Sequence, residues 1–252
     1  MFSKPLEKYI NSLRVKKFRE EHRCFVAEGE KVVSEILPSS FTVDKILFTD
    51  KLKDKGMIMG KIAQEHMVVV EEYEMKKISE LQNPPTVLAL VHIPEYKIDI
   101  SQLTKGLHLV LDGIQDPGNM GTIIRIADWF GIENIFCSIN CVDAYNPKVI
   151  QASMGSIVRV KVFEKNIVEV LTESQLPKII TTMESETTIY KNDFSENAMI
   201  VIGSEGKGVS EEVKMLCTNQ ISIPKFGKAE SLNAAVATGI ICAALSEKRF
   251  RK

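Results

Sequence analysis

The stretch LDGIQDPGNMGTIIRIADWFG, residues 111–131, begins as a buried strand and ends as a helix. Asp, Gln, Pro, Gly and Asn crowd the turn between the two, mostly residue types that close turns and cap helices. Within the helix that follows, Arg125 interrupts an otherwise apolar run. A strand feeding a helix through a short turn is the repeating unit of an α/β sheet.

Outward from this stretch the same alternation continues. After LHLVLDGI, the runs NIFCSI, VRVKVFE, KIITTM, AMIVIG and QISIP read as further strands, with helical stretches between most of them. This pattern predicts a largely parallel sheet covered by helices on both faces. The segment SLNAAVATGIICAALSEKRF reads as a long Ala-rich helix, apolar nearly all round until Ser246. Such a helix is expected to be buried against the sheet or a partner subunit. In the first half, Leu6, Ile10, Leu13 and Lys17 fall at helical spacing and predict one helix over residues 5–21. The strand-like runs CFVAEG, DKILFT, HMVVVE and TVLALVHI follow, with helices at EKVVSEIL and EYEMKKISEL. Residues 93–106, IPEYKIDISQLTKG, are polar and without a clear period. They place a boundary between a first domain at 1–94, a linker at 95–106 and a second domain at 107–252.

The chain has 252 residues, 44% of them apolar and 26% charged, an ordinary globular composition. Its apolar runs stop short of the ~20 residues a membrane helix needs. The first 22 residues lack the apolar centre of a signal peptide, so a soluble cytoplasmic protein is expected. Five cysteines in unpaired spacing argue against a disulfide framework, and Cys137 and Cys141 lack a second Cys/His pair to complete a zinc site. No metal is expected. Net charge is −1, yet residues 1–23 hold Lys4, Lys8, Arg14, Lys16, Lys17, Arg19 and Arg23 against three Glu. On charge alone this is either a phosphate-tracking patch or the solvated face of an amphipathic helix.

In an open α/β sheet, ligands gather where strands end at their carboxyl termini. Three unusual loops sit at such ends: DGIQDPGNMG, GSEGKGVS (203–210) and PKFGKAESLN (224–233). A phosphate loop fails here, because no lysine follows Gly208. A dinucleotide fingerprint also fails, since Gly203, Gly206 and Gly208 are spaced the other way round and lie late in the chain. A nicotinamide-linked dehydrogenase is thereby disfavoured. Singly, each loop could be no more than a glycine-rich turn.

Together, DPGNMGTIIRIADWFG, IVIGSEGKGVS and ISIPKFGKAESLNAAVA resemble, in order and spacing, the TrmH/SpoU family of SPOUT methyltransferases. The resemblance covers residues 107–249, and the SLNAAVA ending of the third motif is highly specific. The first half, through its order of elements and VAEGEKVV, is similar to the L30e-like RNA-binding domain that precedes the catalytic domain in many members. The resemblance implies an α/β fold with a C-terminal SPOUT deep trefoil knot, an exception to the usual absence of knots. It implies S-adenosylmethionine as cosubstrate, lying in the knot at Thr182, Met183, Gly203, Ile223 and Leu232. It also implies a homodimer with catalytic residues from both subunits, and no membrane partner.

By the same match Asn119 and Arg125 come from the first motif, Glu205 from the second, and Ser231 and Asn233 from the third. The implied reaction is methylation of a ribose 2′-hydroxyl in RNA, rRNA before tRNA. A guanidinium is a poor base, so the expected role of Arg125 is cationic: it fixes phosphate and lowers the hydroxyl's pKa. Glu205 and Asn119 would orient Arg125 or the ribose, and Ser231 and Asn233 would shape the pocket. Lys16, Lys17 and Arg19 are the expected RNA contacts of the first domain. Two motifs depart from the family pattern: in the third, Lys225 and Phe226 follow Pro224 where Met is common, and in the second, Ser204 stands where Asn is common. A catalytically silent RNA-binding or ribosome-assembly protein on the same scaffold is the competing reading, against which the five motif residues argue.

Overall fold

The computed structural model describes residues 2–183, 185–190, 196–204 and 206–250. In chain order its elements are α1 (Lys4–Ser12), α2 (Lys16–His22), β1 (Cys24–Glu28), α3 (Glu30–Ile36), β2 (Val43–Phe48), β3 (Met67–Val69), α4 (Glu72–Ile78), β4 (Val87–His92), β5 (Leu107–Asp112), α5 (Pro117–Trp129), β6 (Asn134–Cys137), α6 (Pro147–Ser153), β7 (Lys161–Glu164), α7 (Ile167–Glu173), β8 (Lys178–Thr181), β9 (Ala198–Gly203), α8 (Glu211–Leu216), β10 (Asn219–Ile221) and α9 (Ala234–Phe250). They form two compact units, Met1–Glu95 with Asp143–Val158, and Tyr96–Val142 with Arg159–Lys252.

The first unit is built on a mixed sheet of order β1-β4-β2-β3. β4 lies antiparallel to both neighbours, while β2 and β3 run parallel. Successive strand residues face opposite sides. Cys24 and Val26 of β1 join Leu88 and Leu90 of β4 in a core closed by Ile10 and Leu13 and by Met75 and Ile78. Phe25, pointing the other way, packs on Phe41 and Tyr145, the latter from the Asp143–Val158 segment. That segment carries α6, which lies against β1. Gly155 shows how tightly it is held: its φ is +91°, and a Cβ there would lie 2.6 Å from Glu35 Cγ. A side chain at this position would meet both backbone strain and a collision.

The helix expected over 5–21 is broken. α1 stops at Ser12 and α2 starts at Lys16, with Val15 extended between them. A continuous helix would pair the carbonyls of Leu13 and Arg14 with later amides; the break leaves them needing donors. Arg19 supplies them, its Nη1 donating to Leu13 O at 2.7 Å and Arg14 O at 2.9 Å. Its Nε and Nη2 reach Asp143 Oδ2 at 2.8 and 2.6 Å. The guanidinium is 2% exposed.

Among the described residues, the sheet of the second unit has six strands, all parallel, in the order β10-β8-β9-β5-β6-β7. β5 and β9 are buried on both faces, as central parallel strands must be. On one face Val110, Phe136, Ile180 and Val201 pack with Val170 and Leu171 of α7 and Val213 of α8. α5 and α9 pack side by side, and α9 also touches β9. Tyr96, Ile98, Ile100 and Leu103, from the stretch read as a linker, pack on the α7 face. His108 is buried with Asn134, whose Nδ2 lies 3.2 Å from its Nδ1; His108 Nε2 donates to Lys105 O at 3.1 Å. Burial holds this imidazole below its ordinary pKa and so favours its neutral form. Among the described residues no helix is long and apolar enough to cross a membrane, and no cluster of three His, Cys, Asp or Glu could hold a metal.

Candidate functional site

Because every strand of the second sheet runs the same way, their carboxyl ends share one edge. Asp112 pairs with Gly203, Ile180 with Val201 and Ile221 with Thr181. The loops that leave β5, β8, β9 and β10 therefore start in a single row.

Each start has a local cause. Asp116 caps α5 by accepting from Asn119 N at 2.8 Å, and Pro117 occupies the first helical position, where no amide is missed. Thr182 N donates to Ile221 O at 2.9 Å, carrying the row one residue past β8. At Gly203 a Cβ would lie 2.3 Å from Gly208 C and 2.5 Å from Val209 N. The loop folds back on itself there, with Ser204 and Gly208 exchanging amide-to-carbonyl bonds of 3.1 and 2.9 Å. Glycine at 203 is thus required by the loop's own main chain. Asp112 then secures the loop's far end, accepting from Ser210 N at 2.8 Å and Ser210 Oγ at 2.7 Å. The motif reading assigned Asp112 no role; a carboxylate closing the apolar strand LHLVLD was the available signal.

Asn233 caps α9, its Oδ1 accepting from Ala235 N at 3.0 Å and Val236 N at 3.2 Å. Its Nδ2 donates to Asn119 Oδ1 at 2.8 Å. Two residues 114 apart in the chain thereby join the first turn of α5 to the start of α9. Both helix N-termini carry partial positive charge, and they meet beside the loop row.

Matches to known families and proteins bear on this arrangement. Residues 106–243 match the SpoU rRNA Methylase family and residues 4–89 an MRM3-like substrate binding domain. The chain belongs to the SpoU rRNA methylase family. It is 29% identical over 232 residues to the 23S rRNA (guanosine(2553)-2′-O)-methyltransferase RlmP of Bacillus subtilis, covering 91% of each chain. A solved TrmH-family structure from Porphyromonas gingivalis superposes with a TM-score of 0.85 at 35% identity, over 97% of this chain and 98% of that one. An AdoMet-bound rRNA methyltransferase from Sinorhizobium meliloti shares the fold, with a TM-score of 0.87 at 24% identity over 98% and 96% of the two chains.

Within this SpoU domain the expected site residues divide into groups. Thr182, Gly203 and Ile223 follow β8, end β9 and follow β10, and Thr182 and Gly203 belong to the same row of strand ends. Met183 is 67% exposed and Leu232 45% exposed. Asn119 and Asn233 touch; Ser231 is exposed two residues before the α9 cap. Arg125 lies six residues along α5 from Asn119, about 9 Å of helix rise. It is exposed and has no ionic partner among the described residues. Glu205 lies outside the described residues. In the first unit Lys17 is exposed, and Lys16 is half-buried with Glu20 Oε1 at 3.6 Å. Arg19 is a correction: it is buried and its donors are taken by Leu13, Arg14 and Asp143, so it cannot meet RNA phosphate from this position.

Proposed function

We propose that this protein transfers a methyl group from S-adenosylmethionine to a ribose 2′-hydroxyl of RNA, with 23S rRNA as the first candidate substrate. The observation that carries the reading is the contact of Asn119 with Asn233 beside a single row of strand-end loops, in a chain of the SpoU family. The 2′-O specificity in the name of RlmP supports ribose chemistry. A tRNA target is the alternative within the same chemistry.

Thr182, Met183, Gly203, Ile223 and Leu232 would hold the cosubstrate. None of these side chains is cationic, so none would repel the sulfonium, and the bound group supplies a methyl carbon already activated for displacement. Positioning then provides much of the rate. The remaining difficulty is the protonated hydroxyl, and Arg125 would stabilise its developing charge while holding the neighbouring phosphate. Asn119, Asn233, Ser231 and Glu205 would orient these groups. Lys16 and Lys17 would track phosphates on the first unit.

The site would be completed by a second copy of the chain. Trp129 on α5 is 83% exposed and Val236 on α9 is 51% exposed, an apolar pair with uses for a partner surface. The trefoil knot and a cytoplasmic place of work belong to the same proposal. Arg125→Ala should keep fold and cosubstrate affinity while lowering methyl transfer by roughly 10²–10³. Arg125→Lys should rescue poorly, because an ammonium lacks the planar two-pronged grip. RNA with a single 2′-deoxy substitution at the target should bind and accept no methyl. Transfer to that RNA would place the methyl on a base, and near-normal turnover of Arg125→Ala would make the arginine structural. Light scattering on active enzyme tests the dimer; a monomer that still methylates overturns it.

A further inference from the structure

In the loop between β10 and α9, Lys225 and Phe226 follow Pro224. Every residue from 225 to 233 is exposed, and Phe226 is 99% exposed, so its phenyl ring is not packed against the described residues. An aromatic ring fully in water forfeits the burial that normally justifies it. Lys225 and Lys228 flank it, and Lys207 lies in the neighbouring loop after β9. All three are exposed and have no ionic partner among the described residues. β8 alone separates β9 from β10, so both loops leave the same part of the sheet edge.

An apolar protein interface does not match this composition, because lysine is depleted from such interface cores. One aromatic among free ammonium groups is instead the pattern by which proteins hold unpaired nucleic acid: rings take base faces, cations take phosphates. We infer that Phe226 stacks on an unpaired base of the RNA strand, while Lys225, Lys228 and Lys207 hold flanking phosphates. This rests on the reading that RNA is the substrate of these loops. It adds that the RNA enters as a single strand or loop, since a base inside a duplex offers no free face. Phe226 is a positioning residue, acting through where the ribose comes to lie.

The test uses the full chain, S-adenosylmethionine, rRNA from cells lacking the gene as methyl acceptor, and a single-stranded RNA carrying 2-aminopurine as stacking probe. Phe226→Ala should raise KM for RNA about fivefold to 150-fold. It should leave kcat within about twofold and cosubstrate affinity unchanged. Phe226→Trp should restore KM and Phe226→Leu should not, because a leucine lacks a π-face. The probe's fluorescence should be quenched on binding to the native protein and to Phe226→Trp only. Lys225→Ala with Lys228→Ala should reduce the salt dependence of RNA affinity. A Phe226→Leu or Phe226→Ala protein with native KM overturns the stack and leaves the methyltransferase reading intact. So does a Phe226→Ala protein that loses its dimer, which makes the ring a subunit contact. A native protein that binds and methylates no RNA overturns the functional reading, and the stack with it.

Discussion

The two units alternate strand and helix alike, yet their sheets distribute the loops differently. In the first unit β4 sits between β1 and β2 and runs against both. Strand ends and starts therefore mix on each edge. In the second unit all six strands run one way, so loops far apart in sequence begin side by side. The charges differ in the same sense. Arg19 of the first unit is consumed by the fold, while Arg125 of the second is exposed and without an ionic partner among the described residues. Two arginines that look alike in sequence thus differ in burial and in partners.

The largest expected effect breaks that contrast from the structural side. Asp143→Ala should destabilise the protein by about 3–5 kcal/mol, because it leaves a buried guanidinium without its counter-charge. Arg19→Met should lower the melting temperature while leaving the salt dependence of RNA binding unchanged. Lys17→Ala should do the reverse. A weakened RNA affinity in a well-folded Arg19→Met protein would return Arg19 to the RNA surface.

A smaller effect sharpens the second unit's side. Gly203→Ala should cost roughly 1–3 kcal/mol, since a Cβ has no room against Gly208 and the loop must shift. Gly206→Ala, where nothing lies within 4 Å, should cost little and serves as the control. Equal melting temperatures for the two variants would show that the 203–208 approach is not tight. The smallest effect is a pH dependence. The folded pKa of His108 lies below the unfolded value of about 6.5, so the unfolded chain binds more protons in that window. Stability contributed by His108 is present above pH 6.5 and is lost as pH falls through the lower folded value. His108→Gln should flatten this part of the stability profile, and an unchanged slope would assign the acid sensitivity elsewhere.

Much of the second unit was legible because its signals are local. LHLVL, AMIVI and NIFC are apolar runs of strand length, and each became a strand. Asp116-Pro117 opens α5 because a capping carboxylate and a fixed φ act within one turn. The contact of Asn119 with Asn233 was reachable only through the resemblance, since no periodicity links residues 114 apart. The first unit misled in one place. Helical spacing continued through residues 13–15, but Val15 is extended, and the break left carbonyls for Arg19 to satisfy. Charge counting treats every arginine as solvated and could not see this. Nor could it place residues 143–158 with the first unit, which depends on Tyr145 covering Phe25 and on Gly155 passing Glu35.

By itself, then, the sequence determined the α/β alternation, the helix caps and the three motifs, because these follow from apolar period and from hydrogen bonds within a few residues. Only the tertiary structure decided which arginine is buried and which is exposed, why Gly203 must be glycine, and that Phe226 is exposed. Those facts depend on which main chain and which side chains arrive from elsewhere, and burial and close approach are properties of the assembled surface, written in no single segment.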